Sequence, residues 1–249
     1  MRHGGRPDER LRSGIHDDAD GQGLDALPKQ AGPPEARGER MTGRVAHGRP
    51  FIFLFSGIAW QRYILMMSQP DFQPTLVGPT ISIRPISRDD WTDMFAAGSD
   101  PEIWKVHPVP DRYTEAGFRK FFDGAVDSKM GFAFVDRSSG RIVGSSRYYG
   151  YEPDLSEIEI GWTFLARSHW GGLANREVKR LMLDHAFTFV DTVIFWVGDQ
   201  NWRSQGAMTK IGGIKREGLF TRALSGERLY FIFEITKERY RQGGRALVE

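Results

Sequence analysis

The stretch from residue 157 to residue 190 restricts the possible folds of this chain more than any other. Residues 157–166 alternate strictly: Ile158, Ile160, Trp162 and Phe164 fall on one face, and Glu157, Glu159, Gly161 and Thr163 on the other. That period of two predicts a half-buried strand. A turn follows, Trp170-Gly171-Gly172-Leu173-Ala174-Asn175-Arg176-Glu177. Then Val178, Leu181, Met182, Ala186, Phe189 and Val190 recur at helical spacing, with Lys179, Arg180, Asp184 and Thr188 on the opposite face. A strand that passes through a glycine turn into a helix leaves backbone N–H groups unpaired at the positive end of the helix dipole, a ready site for a phosphate-like anion. Downstream, Asn201-Trp202-Arg203-Ser204 opens a second helix and brings polar side chains to nearly the same depth. The two helix starts together predict a cofactor cradle rather than a plain structural turn.

The rest of the chain builds a domain around this unit. Residues 80–85 alternate as a strand. Ser87-Arg88-Asp89-Asp90 offers a helix cap ahead of Trp91, Met94 and Phe95, and Thr114 caps a second helix through Phe118, Phe121 and Phe122. Residues 132–136 and 141–149 read as strands joined by the turn Arg137-Ser138-Ser139-Gly140. Residues 192–197 form a continuous apolar run, as a buried strand would. Ser204, Ala207, Met208 and Ile211 mark a helix stopped by Gly212-Gly213. Strands near 214–221 and 228–235 complete the order β-α-α-β-β-β-α-β-α-β-β. The expected fold class is α/β (α+β), a mixed sheet flanked by helices over residues 76–242, with 243–249 as a C-terminal tail.

The N-terminal part reads differently. Residues 1–50 are rich in Gly, Pro, Arg and Asp and show no apolar period. Such a segment buries too little surface to offset its ordering entropy, which predicts a disordered extension over residues 1–75. The run Phe51-Ile52-Phe53-Leu54-Phe55 is too short to span a bilayer, and Gln61-Arg62 follows it. Met66 or Met67 is a candidate for the true start, and a short amphipathic docking segment is the alternative. A formal net charge of +2 singles out neither nucleic acid nor a membrane as partner. With Cys at 0 there are no disulfides, thiolate nucleophiles or Cys-ligated metals, as expected of a cytoplasmic protein. The sequence holds no zinc spacing, no phosphate-binding Gly-x-x-x-x-Gly-Lys-Ser/Thr and no Gly-x-Ser-x-Gly elbow.

Three stretches, taken in order and spacing, carry a resemblance. They are Glu159-Ile160-Gly161-Trp162, then Trp170-Gly171-Gly172 through Glu177, then Asn201-Trp202-Arg203-Ser204-Gln205 running into Lys210-Ile211-Gly212-Gly213. Over residues 80–240 the chain resembles the GNAT superfamily of acyl-CoA-dependent N-acetyltransferases, and within it the branch that includes the ribosomal-protein alanine acetyltransferases. The resemblance implies a splayed central sheet whose diverging strands, 157–166 and 192–197, hold the pantetheine arm of acetyl-CoA. It places the diphosphate on the N–H groups of Gly171, Gly172, Leu173, Ala174 and Asn175. The chain departs from the family's Arg/Gln-x-x-Gly-x-Gly/Ala signature: Trp170 takes the Arg/Gln position, Leu173 stands where the second glycine belongs, and Asn175 ends it. The Leu173 side chain is then expected to narrow the approach, and Asn175 to cap the helix.

Acetyl transfer to an amine needs a neutral nucleophile, a place for the oxyanion and a proton for the departing thiolate. The resemblance implies Glu159 as the base that takes the amine proton, with Glu157 in reserve. It implies a backbone N–H near Trp162 or Thr163 for the thioester oxygen, Asn201 on the pantetheine arm and Ser204 as proton donor to the sulfur. Each has a plainer reading: Glu159 as a solvated strand-face carboxylate, Asn201 and Ser204 as helix caps. Tyr230 is an alternative acid. Tyr148, Tyr149, Tyr151, Trp104 and His107 are candidates for the acceptor side, whereas His169 reads as a surface or packing residue. The implied reaction is direct transfer from acetyl-CoA to a primary amine in a ternary complex, without a metal, and the lack of Cys argues against a thiol acyl-enzyme. The implied partner is an amine acceptor, a small molecule or a protein N-terminus, with the chain a monomer or homodimer. Two other readings stay open: a catalytically impaired CoA-binding regulatory domain, for which Leu173 speaks, and a nucleotide-phosphate module that uses the glycine turn alone.

Overall fold

The computed structural model describes residues 70–222 and 228–248, so the expectations for residues 1–69 lie outside the described residues. Two short strands, β1 (Leu76–Val77) and β2 (Ile81–Pro85), open the sheet, with Ile81 and Ile83 fully buried. Ser87 caps not the expected helix itself but a 3-10 turn, Arg88–Asp90, that leads into it: its N–H donates to the Asp90 carboxylate at 2.8 Å, and Arg84 grips the same carboxylate at 2.7 and 2.8 Å. Helix α1 (Trp91–Gly98) follows. A one-turn helix that the sequence did not announce, α2 (Pro101–Trp104), starts at Asp100, whose side chain accepts from the Glu102 N–H at 3.0 Å. Thr114 caps α3 (Glu115–Asp127) as expected, accepting from the Gly117 N–H at 3.1 Å.

The remaining elements are β3 (Gly131–Asp136), β4 (Ile142–Glu152), β5 (Glu157–Leu165), α4 (Ala174–Ala186), β6 (Thr192–Gly198), α5 (Trp202–Lys210), β7 (Ile214–Lys215), β8 (Phe220–Thr221) and β9 (Leu229–Thr236). Among the described residues the strands form one mixed sheet in the order β1-β2-β3-β4-β5-β6-β9-β7, with β8 also on β9. Every pair is antiparallel except β5 and β6, which run parallel. Helix α4 packs on one face, where Val178 and Met182 meet Ile81, Phe132, Tyr148 and Ile158. Helices α1 to α3 cover the other face with an aromatic cluster built on Trp104, Phe118, Phe121 and Phe122. Each such fully buried side chain contributes about 1.5–3 kcal/mol, and the two layers clamp β5 between them. Phe72 packs on Tyr151 and Phe189, with ring centroids 5.2 and 5.7 Å away, ahead of the expected boundary at residue 76. Val248 is buried beyond the expected boundary at residue 242.

Two strand expectations are corrected. The single strand expected over 214–221 is two short pieces, both paired to β9, with Gly218 turning between them at φ +98°. The alternation along β5 also breaks. Ser145 pairs with Phe164 but Arg147 with Gly161, so Ser146 faces two residues, Trp162 and Thr163. This is a β-bulge, and Trp162 sits in it at φ +53°. The extra residue turns the strand over: Ile158 and Ile160 face α4, whereas Phe164 joins the aromatic cluster on the opposite side, 5.5 Å from Trp104 and 5.7 Å from Phe121. A count of two per residue pair cannot see the inserted residue.

Candidate functional site

The parallel pairing of β5 with β6 stops at Glu159 and Ile194. Beyond that point the strands part, and a cleft of about 890 Å³ opens between them. The glycine turn and Glu159 lie at opposite ends of the diverging part of β5. Six residue steps from Glu159 to Leu165 make that distance about 20 Å in an extended strand. Of the residues singled out from sequence, Glu159, Trp162, Thr163, Trp170, Gly171, Gly172, Asn175, Asn201 and Ser204 line the cleft. Leu173 and Ala174 contribute no lining.

At the turn, Gly171 adopts φ +71°, a left-handed conformation that a side chain with a Cβ disfavours. Helix α4 begins at Ala174 with Leu173 at its N-cap, which offers no side-chain acceptor. Asn175 is therefore the second residue of the helix and not its cap, a correction to the sequence reading. The Leu173 side chain, expected to narrow the approach, is 63% exposed and stands away from the cleft. What remains is a helix start whose first N–H groups lack a side-chain partner among the described residues, the arrangement that suits an anion. The turn is well braced. Trp170 Nε1 donates to the Leu165 carbonyl at 2.9 Å, and the Arg203 guanidinium lies 4.3 Å from the Trp170 ring centre. Glu177, buried, accepts from the Thr80 and Ile81 N–H groups at 2.9 and 3.0 Å and ties the helix to β2. Arg176, Arg203 and Lys210 also line the cleft, cations that no local pattern marked.

Across the cleft, Asn201 Oδ1 accepts from the Ser204 N–H at 3.1 Å and so caps α5. The plainer reading of Asn201 holds for that oxygen, while both side chains also face the cleft.

The other end is made of side chains. Glu159 is 3% exposed, so it is no solvated carboxylate. Both of its oxygens are held by Arg222, one at 3.1 Å and the other in a still shorter contact. Burial pushes its pKa up, opposed by the charges of Arg222 and Arg147. The Trp162 ring at the bulge is flanked by the Arg147 guanidinium at 3.5 Å, Arg222 at 4.6 Å and the Tyr149 ring at 5.1 Å. A bulky residue in a left-handed conformation costs of order 1–3 kcal/mol, and this stacking holds it there. Thr163 Oγ1 lies 3.0 Å from the Lys179 ammonium and 2.8 Å from Ser146 Oγ. Lys179, placed by the sequence pattern on a polar face, is instead buried in the cleft wall, and burial lowers its pKa to about 7.

His107 and Trp104 line the cleft, as the sequence suggested. Burial depresses the His107 pKa to about 3, which keeps the imidazole neutral. Its Nδ1 accepts from the Val109 N–H at 2.9 Å, and its Nε2 lies 3.2 Å from Arg112 Nη1. Tyr230 lines the same cavity. The other tyrosines divide. Tyr149 packs edge-on against Trp162, but Tyr148 is fully buried with its hydroxyl donating to the Met182 carbonyl at 2.7 Å, and Tyr151 packs with Phe72. Glu157, the reserve base, lies outside the cleft lining in an ion pair with Arg216 at 2.5 Å. His169, read from sequence as a surface or packing residue, lines the cleft beside Trp170, with its Nε2 3.1 Å from the Asp136 carboxylate. Among the described residues no group of acids and histidines is arranged to hold a metal ion.

Solved structures share this architecture. A GCN5-related N-acetyltransferase from Brucella melitensis is 20% identical with a TM-score of 0.62, covering 71% of this chain and 86% of its own. RimJ of Mycobacterium smegmatis, in complex with CoA-disulfide, is 20% identical with a TM-score of 0.56, covering 73% of this chain and 96% of its own. A spermidine N-acetyltransferase from Vibrio cholerae, in complex with CoA and spermine, is 14% identical with a TM-score of 0.50, covering 66% and 99%. At these identities the likeness is one of fold. No curated protein sequence matches the chain. Residues 80–214 match the family described as acetyltransferase (GNAT) domain, more than half of the sequence. With that match laid over a sheet that parts beside a glycine turn and an uncapped helix start, the chain belongs to the GNAT acetyltransferases.

Proposed function

We propose that the protein transfers the acetyl group of acetyl-CoA to a primary amine by direct attack in a ternary complex. The observation that carries this reading is the parting of β5 and β6 after Glu159 and Ile194, which leaves a strand edge running from a buried carboxylate to an anion-binding turn. The diphosphate sits on the N–H groups from Gly171 to Asn175, with Arg176, Arg203 and Lys210 close by to share its charge. The pantetheine arm lies along the free edge of β5, touching Asn201 from the facing helix. The bulge at Trp162 and Thr163 breaks the β4 ladder where the thioester arrives and turns a backbone N–H toward its oxygen as charge develops there.

Glu159 takes the proton from the incoming ammonium, so that the amine attacks as a neutral nucleophile. A carboxylate whose pKa is raised by burial is better matched to that task than a solvated one. Ser204 donates a hydrogen bond to the departing sulfur. Holding amine and thioester together supplies most of the acceleration, and no covalent enzyme intermediate is needed. The catalytic domain is built on residues 76–242, with Phe72 and Val248 packed against its core, and works in the cytoplasm as a monomer or homodimer. Its acceptor is a small molecule or a protein N-terminus.

The test is release of free CoA thiol from acetyl-CoA by the full chain against a panel of amines. Amine-dependent release that collapses in Glu159→Gln is expected. The Arg222 grip on Glu159 favours one competing reading, a CoA-binding domain with an impaired base. Tight acetyl-CoA binding without turnover on any amine would establish that reading and end this one.

A further inference from the structure

The carboxylate end of the cleft carries more positive charge than acetyl transfer to a simple amine requires. Among the described residues, three guanidinium groups, those of Arg112, Arg147 and Arg222, line it together with a single carboxylate, Glu159. Glu159 is already satisfied by Arg222 through both oxygens. Among the described residues neither Arg112 nor Arg147 forms an ion pair. Arg112 instead stacks over Trp104 and Phe121, at 5.5 and 5.0 Å, and shares His107 Nε2. Arg147 donates through Nη1 to the Gly124 carbonyl at 2.8 Å and lies on Trp162, while its buried Nε has no hydrogen-bond partner among the described residues.

Guanidinium groups held on aromatic faces, short of acceptors and close to one another, are costly unless something anionic joins them. Burial above all pulls the pKa of each down to about 10, helped by the charge of Arg147 at Arg112 and of Arg222 at Arg147, and opposed at Arg147 by Glu159. The neutral His107 adds no negative charge, Asp111 acts on Arg112 only through space from an exposed position, and Glu159, already held by Arg222, offsets the field at Arg147 only in part. Such a pocket repels a polyamine, whose second ammonium would meet the same two guanidinium groups. It attracts a planar or tetrahedral oxyanion, which Arg binds through two parallel N–H donors.

We infer that the acceptor is a small amine that also carries an acidic group, a carboxylate or a phosphate, which Arg112 and Arg147 hold while Glu159 faces the amine. This rests on the acetyl-transfer reading and adds its substrate class. During the reaction the acidic group stays unchanged. The ammonium loses one proton to Glu159, the neutral nitrogen forms the new C–N bond, the C–S bond breaks, and the second proton shed by the nitrogen as the amide forms goes to the thiolate, which leaves as CoA thiol.

Matched amines separate the possibilities on the wild-type full chain, so the result does not depend on a variant that might misfold. Phosphoethanolamine is compared with ethanolamine, and an α-amino acid with its carboxamide, with spermidine as the cationic control. A charge-assisted contact of this kind changes kcat/KM by about tenfold to a hundredfold. The acidic member of at least one pair is expected to be preferred by that margin, the phosphate and carboxylate arms telling which oxyanion is meant. Arg112→Gln and Arg147→Gln are then expected to bring the ratio within each pair toward one, chiefly by raising KM for the acidic member. If ethanolamine, the carboxamide or spermidine releases thiol as fast as the acidic amines, the inference is overturned and acetyl transfer stands. If acetyl-CoA binds and no amine on the panel releases thiol, both fall.

Discussion

The two ends of the cleft are built from different material. The glycine turn is a backbone site: its donors are N–H groups at the uncapped start of α4, shaped by the left-handed Gly171, and consecutive residues supply nearly all of it. The Glu159 end is a side-chain site. Its members come from the turn before α3 (Arg112), from β4 (Arg147), from β5 (Glu159, Trp162) and from the residue after β8 (Arg222). A backbone site can bind the same anion in many relatives because it does not depend on side-chain identity. A side-chain site can be rebuilt for each acceptor without disturbing the cradle.

That contrast is open to attack by substitution at each end. The largest effect is expected for Glu159→Gln, which removes the base without changing shape: kcat falls about a hundredfold or more. The sign of the accompanying pH change follows from burial. A base with a raised pKa is active only when deprotonated, so wild-type turnover declines as pH falls through that pKa, and the Gln variant has no such acid limb. Stopped-time thiol release from pH 5 to 9 checks both, and an unchanged acid limb in the variant would remove Glu159 from the chemistry.

Gly171→Val probes the backbone end. A Cβ added there meets no atom within 4 Å, so any loss comes from the left-handed backbone alone. Restoring that conformation costs a β-branched residue about 1–2 kcal/mol, an increase of roughly tenfold or more in the Kd for acetyl-CoA measured by calorimetry. Ser204→Ala is expected to lower kcat by only about two- to tenfold, the worth of one neutral hydrogen bond, with little change in acetyl-CoA affinity.

Lys179→Met is expected to affect turnover least and to show itself in stability. Lys179 titrates at about 7 when folded against an ordinary 10.5. Between those values the unfolded chain binds more protons, so this group makes the folded state more stable as pH rises from about 7 toward 10.5, and adds no slope below 7. Thermal melts over that range should lose part of their upward slope in the Met variant. An identical slope in both proteins would show that Lys179 is not held unpaired in the wall.

The same contrast explains what could be read in advance. The order of the longer elements, the Thr114 and Ser87 caps, and the convergence of the glycine turn with Asn201 and Ser204 on one cleft follow from local patterns of period, cap and turn, whereas β1, the one-turn α2 and the split into β7 and β8 do not. The bulge at Trp162 does not, because one inserted residue leaves the alternation of residue types intact while reversing the side that Phe164 faces. Nor does the burial of Lys179, which depends on a splayed sheet lying beneath it. Arg112, Arg147 and Arg222 carried no signal at all. Each is an ordinary polar residue in its own segment, and only the fold brings them to one wall. Glu159 was named through family resemblance, yet its grip by Arg222 arises from a contact across 63 residues.

The most direct test is a crystal structure of the full chain with acetyl-CoA. The account requires the diphosphate within hydrogen-bond distance of the N–H groups between Gly171 and Asn175, the pantetheine along the free edge of β5, and the acyl carbon beside the Trp162 bulge, facing Glu159. A cofactor bound anywhere else, or one whose acyl group points away from Glu159, would contradict it.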